Sequence, residues 1–184
     1  MDYEVANLSY WMKAKPNYCA YTDEDWGYGE GNAPHQKRVK KVIEDILKQL
    51  GSEQKIEDVF SANLFFFRSP DAVKLRSYVK ANHDCWEYHE KFLQIVAPKI
   101  IVCNGNDESF SAFSLLRNHF KIEKSEKKAI NRRCLLKYFI LENAPWSNNQ
   151  ALVLGLPHLS YPRPLPEITR ITSELIAESG FQNS

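Results

Sequence analysis

The chain holds only four cysteines in 184 residues, Cys19, Cys85, Cys103 and Cys134, and no two of them form a Cys-X-X-Cys pair. That spacing argues against a zinc ribbon and against a disulfide scaffold, since a chain of this length can bury a core without covalent staples. Buried structural thiols are the expectation, with no metal. Charge of one sign is also missing: 24 Lys plus Arg stand against 23 Asp plus Glu, a net charge of +1. No global field gathers nucleic acid or an anionic membrane, so a charged partner must be held by a local patch. Neither Gly-X-Gly-X-X-Gly nor Gly-X-X-X-X-Gly-Lys-Ser/Thr occurs, which disfavours a phosphate-cradling nucleotide site. No apolar run approaches 18 residues and the N-terminus has no basic segment followed by an apolar one, so neither a membrane span nor a secretory signal is expected. The expected home is the cytoplasm, and the expected organisation is a single domain over residues 1–184.

What is present is an alternation of apolar runs of strand length with segments of helical period, which favours a layered α/β fold. Strands are expected at Asp2 to Ala6, Val59 to Phe67, Lys99 to Cys103, Leu135 to Leu141 and Ala151 to Leu156. Such near-continuous apolar runs suit a central, mostly parallel sheet covered on both faces, a three-layer α/β/α sandwich. Val39, Val42, Ile43, Ile46, Leu47 and Leu50 form the stripe of an amphipathic helix, with Asn32 and Pro34 suited to its start and Gly51 to its stop. Further helices are expected from about His83 to Val96, around Phe110 to Phe120, and around Ile168 to Ile176.

Ligands of open α/β sheets gather beyond the carboxyl ends of the strands, so the residues leaving each strand carry the functional argument. These are Asn7, Asn63, the Asn104-Gly105-Asn106 stretch, and Pro157 to Pro164. Asn63 sits in an aromatic apolar run, where an amide is costly unless both donor and acceptor are satisfied. A base edge is one partner for it, with Phe65 or its neighbours stacking on the base; a neighbouring loop backbone is the other. His158 lies in a proline-rich loop that restricts its backbone and presents its ring, a place from which imidazole can donate to an oxygen gaining charge.

Two more features bear on a partner. Tyr10, Trp11, Tyr18, Tyr21, Trp26 and Tyr28 crowd one segment, either walling a pocket for a planar base or forming a small satellite core. From Lys121 to Lys137, seven basic residues (Lys121, Lys124, Lys127, Lys128, Arg132, Arg133, Lys137) face only Glu123 and Glu126, an excess of five. With Arg163 they are the phosphate-contact candidates, and a solvated face is the plainer alternative.

Together the strand exits resemble the motifs of the uracil-DNA glycosylase superfamily. Ala62-Asn63-Leu64 is similar to the segment that reads the flipped base. His158-Leu159-Ser160-Tyr161-Pro162-Arg163 resembles the His-Pro-Ser loop that supplies the catalytic histidine and enters DNA, with Leu159 in place of the usual proline. Pro98 to Gly105 looks like the strand between them. Val5-Ala6-Asn7-Leu8-Ser9 keeps the Asn of the water-activating motif without its glycines and proline. The resemblance implies a glycosylase-like α/β/α domain, acting as a monomer on DNA without cofactor. His158 and Asn7 would be catalytic, with an acid among Asp23 to Asp25 as the alternative to Asn7. Asn63, Phe65 and Tyr21 would hold the base, and Ser160, Tyr161, Arg163, Arg132 and Arg133 the DNA. The substrate would be uracil, another deaminated base or a hypermodified pyrimidine, in repair or anti-phage defence. A non-catalytic member that binds DNA or a protein through the same face is the rival.

Overall fold

The computed structural model describes residues 18–62, 85–108, 110–123, 125–131, 134–147, 149–161 and 165–180. The chain divides into two compact units, 1–63 and 64–184. Asn7, Asn63, Phe65, Arg132, Arg133 and Arg163, the expected strand at Asp2 to Ala6 and the greater part of that at Val59 to Phe67 lie outside the described residues.

In the first unit, helix α1 (Ala20–Asp23) is a single turn and α2 (Pro34–Gln49) is the helix that the apolar stripe predicts. Pro34 opens α2, where its missing N–H costs nothing because the first helical N–H groups have no intrahelical partner. Val39, Val42, Ile46 and Leu47 form its buried face. Gln36, fully buried, ties the unit together: its Oε1 accepts from the Ala33 N–H at 3.0 Å, while its Nε2 donates to the carbonyls of Ala20 and Glu24 at 2.8 and 2.9 Å. A short 3₁₀ turn, Ile56–Asp58, follows, and residues 59–62 leave it outside any strand. The strand expected from Val59 therefore does not begin there, because the Val59 N–H is taken by the Ile56 carbonyl at 3.1 Å.

The second unit is mixed α/β. Helix α3 (Trp86–Val96) ends at Ala97, whose left-handed backbone precedes Pro98. Then come β1 (Ile100–Asn104), α4 (Ala112–His119), β2 (Glu126–Asn131), β3 (Cys134–Leu141), β4 (Ala151–Leu156) and α5 (Leu165–Glu178). The sheet order is β1-β4-β3-β2, with β1 parallel to β4 and the other two pairings antiparallel. This differs from the mostly parallel sheet expected. The cause is connection length: residues 142–150 join β3 to β4, and a parallel pairing needs a crossover of a dozen residues or more.

β4 is buried along its whole length. Ala151 and Val153 join Cys103, Phe113, Leu116, Phe139, Leu141 and Ala144 in one core cluster, on which Trp86, Leu93 and Trp146 pack. The alternate residues Leu152, Leu154 and Leu156 point to the opposite face. They too are fully buried, each stabilising the fold by about 1.5–3 kcal/mol. Helix α5 lies against β2 and β4, burying Ile168, Ile171, Leu175 and Ile176. All four cysteines are free thiols and buried, in line with the expectation of structural thiols. Among the described residues no helix is long and apolar enough to cross a membrane.

Gly155 has no room for a side chain. A Cβ there would lie 2.6 Å from the Phe113 ring and 2.9 Å from the Asn106 Cβ. Gly155→Ala is expected to cost about 1–3 kcal/mol, the range for overpacking a filled core, read as a lower denaturation midpoint at unchanged slope. Gln36→Leu takes this partner from the Ala33 N–H and the Ala20 carbonyl, while the Glu24 carbonyl keeps the Gly31 N–H at 3.0 Å, and should destabilise the first unit by about 1–3 kcal/mol per group that finds no water, in the same titration.

Candidate active site

Parallel pairing of β1 with β4 brings their carboxyl ends to one edge of the sheet, with Asn104 opposite Leu156 as the last pair. The Gly105 N–H extends the contact by donating to the Leu156 carbonyl at 3.0 Å. Beyond this point the two chains become loops, and a side chain ties them: Asn104 Oδ1 accepts from the Leu159 N–H at 2.9 Å. Leu159 is 2% exposed and anchors its loop, while His158, Ser160 and Tyr161 stay at the surface. The Ser160 N–H donates to His158 Nδ1 at 3.2 Å. With Nδ1 an acceptor, the proton of the neutral ring is assigned to Nε2, which makes that nitrogen a donor. The Tyr161 ring meets the imidazole edge-on at 6.3 Å. Gly105, at φ 115°, passes so close that a Cβ would sit 3.4 Å from His158 Cδ2, and that φ favours glycine.

The loop after β1 is itself anchored. Asn106 Nδ2 donates to the Leu135 and Gly155 carbonyls, both at 2.8 Å, so one amide spans two strands. Lys137 Nζ donates to the Asn106 carbonyl at 2.8 Å and pairs with Glu108, which also pairs with Arg117 at 2.8 Å. These bonds hold the Glu108 carboxyl below the ordinary range, Lys137 contributing most. At the mouth of α4, Asp107 Oδ1 accepts from the Phe110 N–H at 2.7 Å, and Ser111 caps the helix by accepting from the Ser114 N–H at 3.1 Å. Cys103 faces the core, and burial pushes its thiol up to about 12, which removes it as a nucleophile at neutral pH.

The basic segment divides in use. Lys137 is 8% exposed and spent on Asn106 and Glu108, and Lys128 pairs with Glu178 at 2.6 Å, so neither is the free surface cation that a phosphate contact requires. Lys121 and Lys127 remain exposed.

In the first unit Tyr21 belongs to a ring cluster, 5.8 Å from Trp26 and 6.3 Å from His35, with Trp26 stacked on His35 at 6.0 Å. Burial, and then the nearby Cys19, push its phenol up. The acids expected to hold a water are already engaged: Glu24 accepts from the Tyr18 hydroxyl and from the Trp26 Nε1–H at 2.6 Å, and its two neighbours are occupied by turns. Asp23 accepts from the Cys19 N–H and the Thr22 hydroxyl, each at 2.9 Å, and Asp25 Oδ1 accepts from the N–H groups of Gly27, Tyr28 and Gly29 at 2.7–2.9 Å. The three donors, Gly29 first, hold Asp25 below the usual carboxylate range, the opposite of what a general base needs.

Of the residues expected in the site, the structure brings His158, Ser160 and Tyr161 into one loop and places Tyr21 in the first unit. The roles of Asn104, Asn106, Glu108 and Lys137 were not legible in the sequence, beyond the two asparagines flanking a glycine at a strand exit. No family model, no curated protein and no solved structure matches the chain, so the chemistry must be argued from these residues.

The Glu108 pairing makes stability depend on acid. A carboxyl whose folded pKa is depressed contributes fully above its unfolded value of about 4.3, and that contribution is lost as pH falls through the lower folded value. Wild type should therefore exceed Glu108→Gln in stability at pH 7, and the gap should close as the pH falls below about 4. Paired denaturant titrations across that range check it; a gap that stays constant with pH assigns the difference to something other than this charge.

Proposed function

We propose that the chain is a monofunctional DNA base glycosylase of the uracil-DNA glycosylase type, with a three-layer α/β/α domain. The observation that carries the proposal is the presentation of His158: an exposed imidazole at the exit of a buried strand, with its Nδ1 accepting from the Ser160 N–H. Burial of both faces of β4 supports the three-layer arrangement.

The reaction breaks the bond between the anomeric carbon and the base nitrogen, and the bonding pair leaves with the base. Charge grows on a base oxygen, and a neutral donor placed there in advance stabilises it more than it stabilises the intact nucleotide. The His158 Nε2–H is that donor. The sugar gains oxocarbenium character and is captured by water, whose proton is released, leaving a free base and an abasic site. The target must first be flipped from the duplex. In this proposal Asn63 reads its edge, Phe65 and Tyr21 stack on it, and Asn7 positions the water. Ser160, Tyr161, Arg163, Arg132 and Arg133 engage the DNA. No cofactor enters the reaction, which a monomer would carry out in the cytoplasm on uracil or a hypermodified pyrimidine, in repair or anti-phage defence.

His158→Ala should lower single-turnover base release by about 10²- to 10³-fold, or roughly 2.7–4 kcal/mol, with little change in DNA affinity. Asn63→Ala should weaken selection among bases, and Asn63→Asp should change which edges are accepted, because Asp lacks the amide donors. Base release by His158→Ala at the wild-type rate, with the variant folded, would remove the proposed catalytic loop.

A further inference from the structure

Asn104 is an odd residue to end a strand whose other members are Ile100, Ile101, Val102 and Cys103. Asparagine is depleted in strands. Its side chain reaches across 55 residues of sequence to the backbone of the His158 loop, where its oxygen takes the Leu159 N–H. Leu159 is buried on one side of this bond, and the residue before it carries the imidazole. Asn104 therefore ties the backbone that follows His158, and the Ser160 N–H bonds Nδ1. Gly105 has no side chain beside the ring; an added Cβ would lie 3.4 Å from Cδ2, at van der Waals contact.

We propose that Asn104 is a positioning residue for His158, setting the direction of its Nε2–H through the Leu159 amide. The inference rests on the glycosylase reading for its effect on rate, but not for the bond itself. Displacing a catalytic group by about 1 Å can cost about 10²-fold in rate, which is the scale of loss expected when the oxygen is removed.

The test uses Asn104→Leu, which removes the acceptor, and Asn104→Asp, which keeps one. Asn104→Ala replaces the leucine variant if the latter does not fold. Three readouts are taken on the full chain. Amide hydrogen exchange at Leu159 should accelerate more than tenfold in Asn104→Leu and stay close to wild type in Asn104→Asp. Single-turnover base release should fall about 10²-fold in the leucine variant at unchanged DNA affinity and recover in large part with Asp. In a His158→Ala background the Asn104→Leu change should have no further effect, since two residues acting through one ring are not additive. Unaltered Leu159 exchange in Asn104→Leu, or the same loss of rate with and without His158, overturns the proposal. A wild-type protein that releases no base from any DNA removes the glycosylase reading instead, and the exchange arm still decides whether Asn104 holds the loop.

Discussion

The missing side chain at Gly155 is the constraint on which the candidate site depends. Because the strand surface is bare there, the Phe113 ring and the Asn106 Cβ close into the space a methyl group would take. Asn106 is then low enough for its amide to reach the carbonyls of Leu135 and Gly155 together, which pins the loop leaving β1 across two strands. Lys137, directly opposite Gly155 in the β3–β4 register, takes the Asn106 carbonyl and the Glu108 carboxylate. With the loop fixed from below, Asn104 and Gly105 stand against the exit of β4 and hold the His158 segment. Geometry thus passes from a glycine in the core to an imidazole at the surface by way of hydrogen bonds between neighbours.

The same arrangement separates apolar burial from hydrogen bonding. The apolar residues of β4 and α5 supply the driving force, and they would do so under any loop. The polar residues at the strand exits contribute less net stability, since each bond replaces one to water. What they contribute is a defined arrangement, because the Asn106 amide and the Lys137 ammonium each bond two groups at once. Preorganised dipoles of this kind are what a reaction that builds charge on a leaving group requires.

Much of the fold was legible in the sequence. The stripe from Val39 to Leu50 marks α2, and the apolar runs mark β1, β3 and β4 to within a residue or so, because burial on both faces leaves no polar positions in β4. β2 was not legible: among the described residues Glu126-Lys127-Lys128-Ala129-Ile130-Asn131 is an edge strand whose lysines read as phosphate contacts or a solvated face, and it carries an irregularity between Ala129 and Asn131. Strand direction was equally hidden, since an apolar run does not encode whether its neighbour is parallel; the short β3–β4 connection carried that information. At the site, the exposed His158 was legible from its prolines and its place after a strand. The Asn104 bond was not, because it joins residues 55 apart with no local pattern to announce it. The crowded aromatics of the first unit suited either a pocket wall or a satellite core, and Tyr21, Trp26 and His35 pack on one another.

Whether this chain releases a base from DNA is decided by mass spectrometry of the small molecules freed from a panel of uracil-containing and pyrimidine-modified DNAs, single- and double-stranded. The expected result is one free base, an alkali-labile abasic site in equal amount, and loss of both with His158→Ala. A folded protein that binds these DNAs and frees no base from any of them would contradict it.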